Sequence, residues 1–156
     1  MLRFKKKKKI IFMYATRYKY SGSTIMRGKQ LLSIVRKRFK KQYSFSYETI
    51  STNHVDSILF LTKGAVTDIT VDQIKELRSK NNTVLLDPVD NPVEHDKAIA
   101  SSAVVAASLE AYDAYKSSDY NAVIINHHVD TRLKRNYHDK KTQAAFSSIR
   151  ERKPSN

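Results

Sequence analysis

The sequence IIFMYATRYKYSGSTIMRGKQLL, residues 10–32, indicates the fold class. It begins with six consecutive apolar residues, which is typical of a strand covered on both faces in a parallel sheet. A polar loop follows and ends in Ser-Gly-Ser-Thr at residues 21–24. Apolar or small residues then recur at helical spacing, at Ile25, Gly28, Leu32, Val35 and Phe39. The order of strand, Gly/Ser loop and helix predicts the first unit of an α/β fold.

Further strands are predicted as far as residue 130. Aromatic and polar side chains alternate over residues 43–49, which indicates a strand with one drier face. Continuous apolar runs predict internal strands at residues 57–62, 83–87 and 123–126. Residues 103–107 fit either a strand or the middle of a long helix over residues 94–116, and the unbroken apolar run favours the strand.

The clearest helix signal is a capping box formed by Thr70 and Gln73. Ile69 and Ile74 occupy the hydrophobic staple positions on either side of this cap. A helix is therefore predicted to begin near Val71.

The connections between elements are predicted to differ in structure. Residues 63–68 are expected to form a loop, and residues 93–102 a short helix or turn. Gly28 lies inside the first predicted helix, where glycine costs about 0.5–1 kcal/mol relative to alanine, so we expect a close approach of that helix to the sheet. Alternating strands and helices predict a Rossmann-like α/β domain, with a parallel sheet of about six strands and helices on both faces.

The composition excludes several classes of protein. A length of 156 residues suits one domain with a single core. The absence of cysteine excludes disulfides, thiolate metal sites, iron–sulfur clusters and a cysteine nucleophile, and it gives no sign of an oxidising compartment. No apolar run is long enough for a membrane span or a signal-peptide core. We expect a cytoplasmic protein, peripheral at the inner face of a membrane if its basic ends contact lipid.

The net charge of +14 is unevenly distributed along the chain. Residues 1–41 hold 15 basic and no acidic residues, residues 42–130 hold 6 against 13, and residues 131–156 hold 8 against 2. We therefore predict a basic, flexible amino-terminal tail at residues 1–9, a Rossmann-like domain at 10–130 and a basic polar tail at 131–156. On this interpretation the positive charge is appended to the fold.

The basic ends offer a route to nucleic acid or anionic membrane. Residues 5–9 are five consecutive lysines, which either attract RNA or anionic lipid or form a solvated tail. Arg17, Tyr18, Lys19 and Tyr20 interleave basic and aromatic groups, as single-strand binding surfaces do. Residues 131–156 fit either an amphipathic helix or a disordered tail.

Candidate binding residues lie at the carboxyl ends of the predicted strands, where parallel α/β sheets bind ligands. Ser21, Gly22, Ser23 and Thr24 precede a helix whose free amides favour a phosphate or carboxylate. The alternative is a helix N-cap on Ser23 beside a flexible glycine. Neither a dinucleotide-binding glycine motif nor a Walker motif is present. Arg27 is expected either to assist an anion or to lie solvated on an exposed face.

Histidines follow the last predicted strand. His127, His128 and Asp130 offer metal-ligand chemistry, but adjacent residues at a strand end point to opposite faces, so no metal site is predicted. A single histidine in the cleft would hydrogen-bond a sugar or act as a base, and the alternative is a packed or solvated side chain. Asp87 ends a buried strand and either caps the next segment or turns the chain. No catalytic residue and no cofactor is assigned.

Five segments resemble, in order and spacing, the amino-terminal half of a glycosyltransferase with the two-domain GT-B architecture. They are YSGSTIMRGKQLL at 20–32, SILFLTKGA at 57–65, TVLLDPVDNP at 83–92, AVVAASLEAYDAYK at 103–116 and VIINHHVDTRL at 123–133. The resemblance covers roughly residues 9–133. The chain departs from the family pattern because its first loop lacks a Gly-Gly pair.

The resemblance implies an acceptor-binding domain that faces a second Rossmann-like domain across a cleft. In such enzymes the second domain binds the nucleotide-sugar donor, and its usual pair of glutamates eight residues apart is missing here. Ser21, Gly22, Ser23 and Thr24 match the loop that faces the donor phosphates, and His128 matches the strand end that lines the cleft. We expect a sugar acceptor, a nucleotide-sugar donor and a separate or downstream donor domain as partners, with hexosyltransferase activity only in the completed enzyme.

Two other functions remain open from the sequence alone. The first is a non-enzymatic binding domain whose basic termini contact RNA or an anionic membrane. The second is a fragment without an independent function, which would expose apolar surface where a partner domain should dock.

Overall fold

The computed structural model describes residues 7–128, which form one six-stranded, fully parallel sheet. The strands are β1 (Lys8–Tyr14), β2 (Tyr43–Thr49), β3 (Ser57–Leu61), β4 (Thr83–Leu86), β5 (Ala103–Ala106) and β6 (Ala122–Ile124). Their spatial order is β2-β1-β3-β4-β5-β6. The predicted Rossmann-like arrangement is confirmed, and so is the strand at residues 103–107.

The sheet order contains one reversal of direction. The chain runs outward from β1 to β2, returns across β1 to β3, and then moves steadily in the other direction to β6. The connections that leave the carboxyl ends of β1 and β3 therefore run in opposite directions, which opens a crevice between these two strand ends.

Helices cover both faces of the sheet. A π-helical segment, Thr24–Gln30, continues into α1 (Leu31–Phe39) on one face. The other helices are α2 (Lys63–Asp68), α3 (Val71–Ser79), α4 (His95–Ala100) and α5 (Leu109–Ser117). The predicted capping box at the start of α3 is confirmed, because the Thr70 hydroxyl accepts from the Gln73 amide at 3.2 Å and Gln73 Oε1 accepts from the Thr70 amide at 2.9 Å.

Each face of the sheet has its own apolar core. The face under α1 is built on Phe12 and Phe60, whose ring centroids lie 4.7 Å apart, together with Leu31 and Val105. The opposite face packs strand residues against α2 and α3, through Ile11, Met13, Leu59, Leu61, Val84, Leu86, Ala65, Val66, Ile69, Ile74 and Leu77. Each fully buried aliphatic side chain of this kind contributes about 1.5–3 kcal/mol.

Residues 63–68 form helix α2, so the predicted loop was wrong. The helix is short and contains Gly64, but Ala65 and Val66 are buried against the sheet. Lys97 Nζ donates to the carbonyls of Val66 and Thr67 at 3.1 and 3.3 Å, which satisfies the carboxyl end of the helix. A lysine 30 or more residues away therefore stabilises a helix that local sequence does not indicate.

Gly28 and Gly64 allow two close approaches in the fold. A β-carbon on Gly28 would lie 3.0 Å from Tyr47 Cε2 and 3.1 Å from Thr62 Cγ2, so the predicted reason for this glycine is confirmed. A β-carbon on Gly64 would lie 2.7 Å from Tyr18 Cβ. Both glycines are therefore fixed by packing rather than by backbone conformation.

The basic amino-terminal region belongs largely to the fold, which corrects the prediction that its charge is appended. Strand β1 begins at Lys8, so Lys8 and Lys9 are strand residues rather than part of a tail. Arg3, Lys5 and Lys6 lie outside the described residues, and the remaining 12 of the 15 basic residues of 1–41 lie within them. All of these except Arg27 are exposed. The predicted features of residues 131–156, with Asp130, lie outside the described part.

Candidate functional site

The first helix begins at a cluster of three hydroxyl groups. Ser21 Oγ accepts from the Thr24 amide at 3.3 Å and donates to Thr24 Oγ1 at 2.9 Å. Ser23 Oγ lies 3.4 Å from Ser21 Oγ, and Ser23 itself has helical backbone angles with no capping hydrogen bond. The cap is therefore Ser21 rather than the predicted Ser23.

The four residues of this turn differ in accessibility. Thr24 is completely buried, whereas Gly22 is exposed and a β-carbon there would meet no atom within 4 Å. Ser21 and Ser23 are half-buried. Ser21, Gly22 and Ser23 are thus open to a ligand at the helix start, while Thr24 contributes to packing.

Arg27 is buried at the carboxyl edge of the sheet, which contradicts the expectation of a solvated side chain. Its Nε and Nη2 donate to the two carboxylate oxygens of Asp87 at 2.7 and 3.1 Å. Its Nη1 donates to the carbonyls of Ile125 and Asn126 at 2.8 and 3.1 Å. Arg27 therefore joins the first helix to the ends of β4 and β6, and these contacts leave it a structural role at this edge.

Asp87 connects the buried pair to a strained turn. Burial raises the pKa of the Asp87 carboxyl above its ordinary value, while the hydrogen bonds and charge of Arg27 oppose that rise. The carboxylate also accepts from the Val89 amide. Val89 has a φ of 63°, a left-handed conformation that is costly for a β-branched residue. Asp87 thus holds the loop after β4 in an otherwise unfavourable shape.

The two histidines after β6 lie on different sides of the chain. His127 is exposed and lies in a cleft with Asp90 and Asn91. His128 is half-buried, and its Nε2 lies 3.4 Å from Gln30 Oε1 on the first helix. The separation of the two side chains agrees with the strand-end argument, and the histidine found in this cleft is His127 rather than His128. Within residues 7–128, no three His, Asp or Glu side chains are grouped to hold a metal ion.

The cleft that contains His127 lies at the carboxyl ends of β4, β5 and β6, and we call it the carboxyl-edge cleft. It has a volume of about 440 Å³. Its walls are the loop after β4, the start of α5 and the loop after β6, with polar groups from Asp90, Asn91, Glu110, Tyr115 and His127. The Arg27–Asp87 pair fixes the ends of both β4 and β6, so it supports two walls of this cleft.

Charges around the cleft are defined by ion pairing and burial. Lys63 Nζ donates to Asp90 Oδ1 at 2.5 Å, and this hydrogen bond lowers the pKa of the Asp90 carboxyl. Burial and the nearby charge of Asp87 raise the pKa of the Tyr115 phenol. At neutral pH the cleft therefore presents an ionised Asp90 and a protonated Tyr115.

No family model, curated protein or solved structure matches the chain. The function must therefore be inferred from the geometry of the chain itself. The described helices include none that is long and apolar enough to cross a membrane.

Sequence analysis missed one wall of the cleft. Glu110 and Tyr115 belong to α5, which begins where the Ser108 hydroxyl accepts from the Ala111 amide at 3.2 Å. The turn between β5 and α5 contains only Ala107 and Ser108, so no residue pattern marked it as part of a site. The available signal was positional, because every turn after a parallel strand lies at the same edge of the sheet.

Proposed function

We propose that the chain is the acceptor-side domain of a glycosyltransferase and that a sugar acceptor binds in the carboxyl-edge cleft. The observation that carries this proposal is the convergence of Asp90, Asn91, Glu110 and His127 on one cleft at the carboxyl ends of parallel strands. Open α/β sheets bind their ligands at the carboxyl ends of the strands, which is the edge on which this cleft lies.

The side chains in the cleft suit a ligand that carries several hydroxyl groups. Each hydroxyl both donates and accepts hydrogen bonds, so it needs partners of both kinds. Asp90 and Glu110 supply acceptors, while Asn91 and His127 supply both donors and acceptors. The ring of Tyr115 adds an aromatic surface beside these polar groups. This mixture favours a neutral polyol over a phosphate, because Lys63 already pairs with Asp90 and the carboxylate of Glu110 would repel a phosphate.

His127 is the group in the cleft best suited to act as a general base. A neutral imidazole accepts a proton at the ring nitrogen that carries none. In the proposed reaction, an acceptor hydroxyl gives its proton to His127, and its oxygen attacks the anomeric carbon of a nucleotide-sugar. The bond from that carbon to the nucleotide breaks, and the nucleoside diphosphate leaves with the electron pair. Ser21, Gly22 and Ser23 remain the predicted contacts to the donor phosphates.

The donor is expected from a second Rossmann-like domain, on a separate chain or encoded downstream. Sequencing the DNA after the Asn156 codon tests the second arrangement. An open frame with paired glutamates would support a split glycosyltransferase. Its absence would require a donor domain from a separate chain.

Sugar binding to this chain is measurable without the donor domain. Saturation-transfer NMR with glucose, galactose and N-acetylglucosamine should show transfer to at least one sugar. Glu110→Gln and His127→Ala should abolish it, because both side chains lie in the cleft. Glu76→Gln is the matched control, because Glu76 is an exposed glutamate on α3 outside the cleft.

Two results would overturn the proposed acceptor site. One is the absence of transfer to all three sugars from a protein whose amide spectrum shows that it is folded. The other is transfer that persists unchanged in both cleft variants, which would place any sugar elsewhere on the surface.

A further inference from the structure

A second concave surface lies on the opposite part of the fold, beside the first helix and the edge strand β2. We call it the tyrosine–lysine groove. It has a volume of about 800 Å³ and is lined by three tyrosines and three lysines, Tyr14, Tyr20, Tyr47, Lys19, Lys29 and Lys37. None of these residues lines the carboxyl-edge cleft.

The three lysines form no ion pair within residues 7–128. No acidic residue precedes Glu48 in the sequence, so the whole first unit of the fold supplies no carboxylate to neutralise them. Lys29 and Lys37 lie eight residues apart on the continuous helix and share its groove side. At 1.5 Å per residue they are about 12 Å apart along the axis. The groove therefore carries a row of uncompensated positive charge.

The tyrosines place aromatic rings between these charges. Tyr20 is 82% exposed, and Lys19 Nζ lies 5.5 Å from its ring centroid. Tyr14 and Tyr47 are half-buried and stacked, with ring centroids 4.5 Å apart. An almost fully exposed ring contributes little to folding, because little of its surface leaves water, but it is available to stack on a flat ligand.

We propose that the tyrosine–lysine groove binds single-stranded nucleic acid. The lysines contact phosphates along the strand, and Tyr20 stacks on an unpaired base, which is how single-strand binding surfaces combine charge and aromatic rings. A duplex fits this chemistry poorly because its base faces are already stacked. A membrane surface also fits poorly, because Tyr14 and Tyr47 are recessed in the groove and cannot reach a flat bilayer.

This proposal concerns the folded domain, not the basic ends. The sequence suggested RNA contact through the termini and a single-strand binding pattern at residues 17–20, and the structure places Lys19 and Tyr20 of that segment in one groove with Lys29 and Lys37. The groove is also independent of the proposed acceptor site.

The test measures fluorescence anisotropy of labelled oligouridylate and oligothymidylate with the full chain. Binding should weaken steeply between about 50 and 200 mM salt, because phosphate contacts release counterions. Tyr20→Ala should weaken binding by about 5- to 150-fold through the loss of one stacked base, and Tyr20→Phe should restore it.

The charge-matched comparison uses two double variants. Lys29→Gln/Lys37→Gln should lower the slope of log affinity against log salt by about 1.4, which is about 0.7 for each lost phosphate contact. Lys75→Gln/Lys116→Gln removes two exposed lysines from α3 and α5 and should leave the slope unchanged. Glu110→Gln and His127→Ala should not change oligonucleotide binding.

Three outcomes would overturn the proposal. The first is no oligonucleotide binding by the folded protein. The second is an equal loss of affinity in the two lysine pairs, which would assign binding to overall charge or the termini. The third combines two results: the protein binds phosphatidylserine/phosphatidylcholine vesicles in a way that requires Lys29 and Lys37, and Tyr20→Ala leaves its affinity for oligonucleotides unchanged. Together these results would indicate a membrane surface.

Discussion

Arg27 and Lys29 lie two residues apart on the same helical segment, yet their surroundings are opposite. Arg27 is completely buried and gives hydrogen bonds to Asp87 and to two backbone carbonyls. Lys29 is exposed in the tyrosine–lysine groove and has no ion-pair partner among residues 7–128. The inner side of this helix thus fixes the fold, and its outer side is available for a ligand.

The difference shows that a run of basic residues is not one functional unit. The partner of Arg27 lies 60 residues away, and nothing near Arg27 in the sequence distinguishes it from Lys29. Burial of a paired charge makes its partner indispensable, because the remaining ion cannot be solvated. An exposed lysine can be removed with little effect on stability.

The largest effect is expected from breaking the buried pair. Arg27→Met should lower the free energy of unfolding by about 3–5 kcal/mol, because it leaves Asp87 buried without a partner. The double variant Arg27→Met/Asp87→Leu should recover more than half of this loss, since both charges are then absent. Urea denaturation monitored by circular dichroism measures the free energy of unfolding of the single and the double variant.

The control for this experiment is the exposed pair between Arg17 and Asp68. Arg17→Met should be as stable as the unchanged protein within error, because water solvates the remaining carboxylate. Equal losses from Arg17→Met and Arg27→Met would contradict the distinction between the two kinds of pair.

A smaller effect is expected from adding volume on the inner side of the helix. Gly28→Val should lower the free energy of unfolding by about 1–3 kcal/mol, because the new side chain meets Tyr47 and Thr62. Gly22→Ala, in open space at the start of the same helix, should instead raise stability by about 0.5–1 kcal/mol. Thermal unfolding of the two variants shows whether each change raises or lowers stability. A loss of stability in both variants would count against the packing argument.

The mildest effect concerns Tyr47, where the helix and the groove meet. Burial, with a smaller contribution from Tyr14, raises the pKa of Tyr47 to about 12. The folded state therefore keeps its proton at a pH where the unfolded chain has lost it, so stability falls as pH rises from about 10 to about 12. Ultraviolet titration should show a late tyrosinate step whose amplitude Tyr47→Phe lowers and Tyr20→Phe does not, and Tyr115, whose pKa is also raised, accounts for the remainder. A single transition for all tyrosines would contradict the raised pKa of Tyr47.

Much of the fold could be predicted because its strands are local apolar patterns. The run that begins at Ile10, the short strand β5 and the Thr70 capping box are each visible within a few residues of sequence. Helix α2 was missed because its stability comes from Lys97 and from burial of Ala65 and Val66, which are tertiary contacts. The spacing of apolar residues indicates local secondary structure, but it does not indicate a contact with a residue that is distant in the sequence.

The candidate site was predicted only in part. The loops after β4 and β6 were identified from the rule that ligands bind at strand carboxyl ends. The assignment of Arg27 to a ligand conflicts with its burial, and Glu110 was overlooked because α5 carries no motif. Side-chain direction after a strand end depends on one residue of register, which is why His127 rather than His128 lies in the cleft.

The contacts of Arg27 also have a consequence for synthesis of the chain on the ribosome. Asp87 follows it by 60 residues and Ile125 by 98. At about 5–20 residues per second, roughly 5–20 s separate the appearance of Arg27 from that of its last partner. Until Asp87 is synthesised, the first helix carries an unmatched cation on the side destined for the interior. The first helix therefore cannot complete its buried polar contacts before nearly all of the described domain has been synthesised, because the carbonyls of Ile125 and Asn126 that complete the binding of Arg27 follow β6.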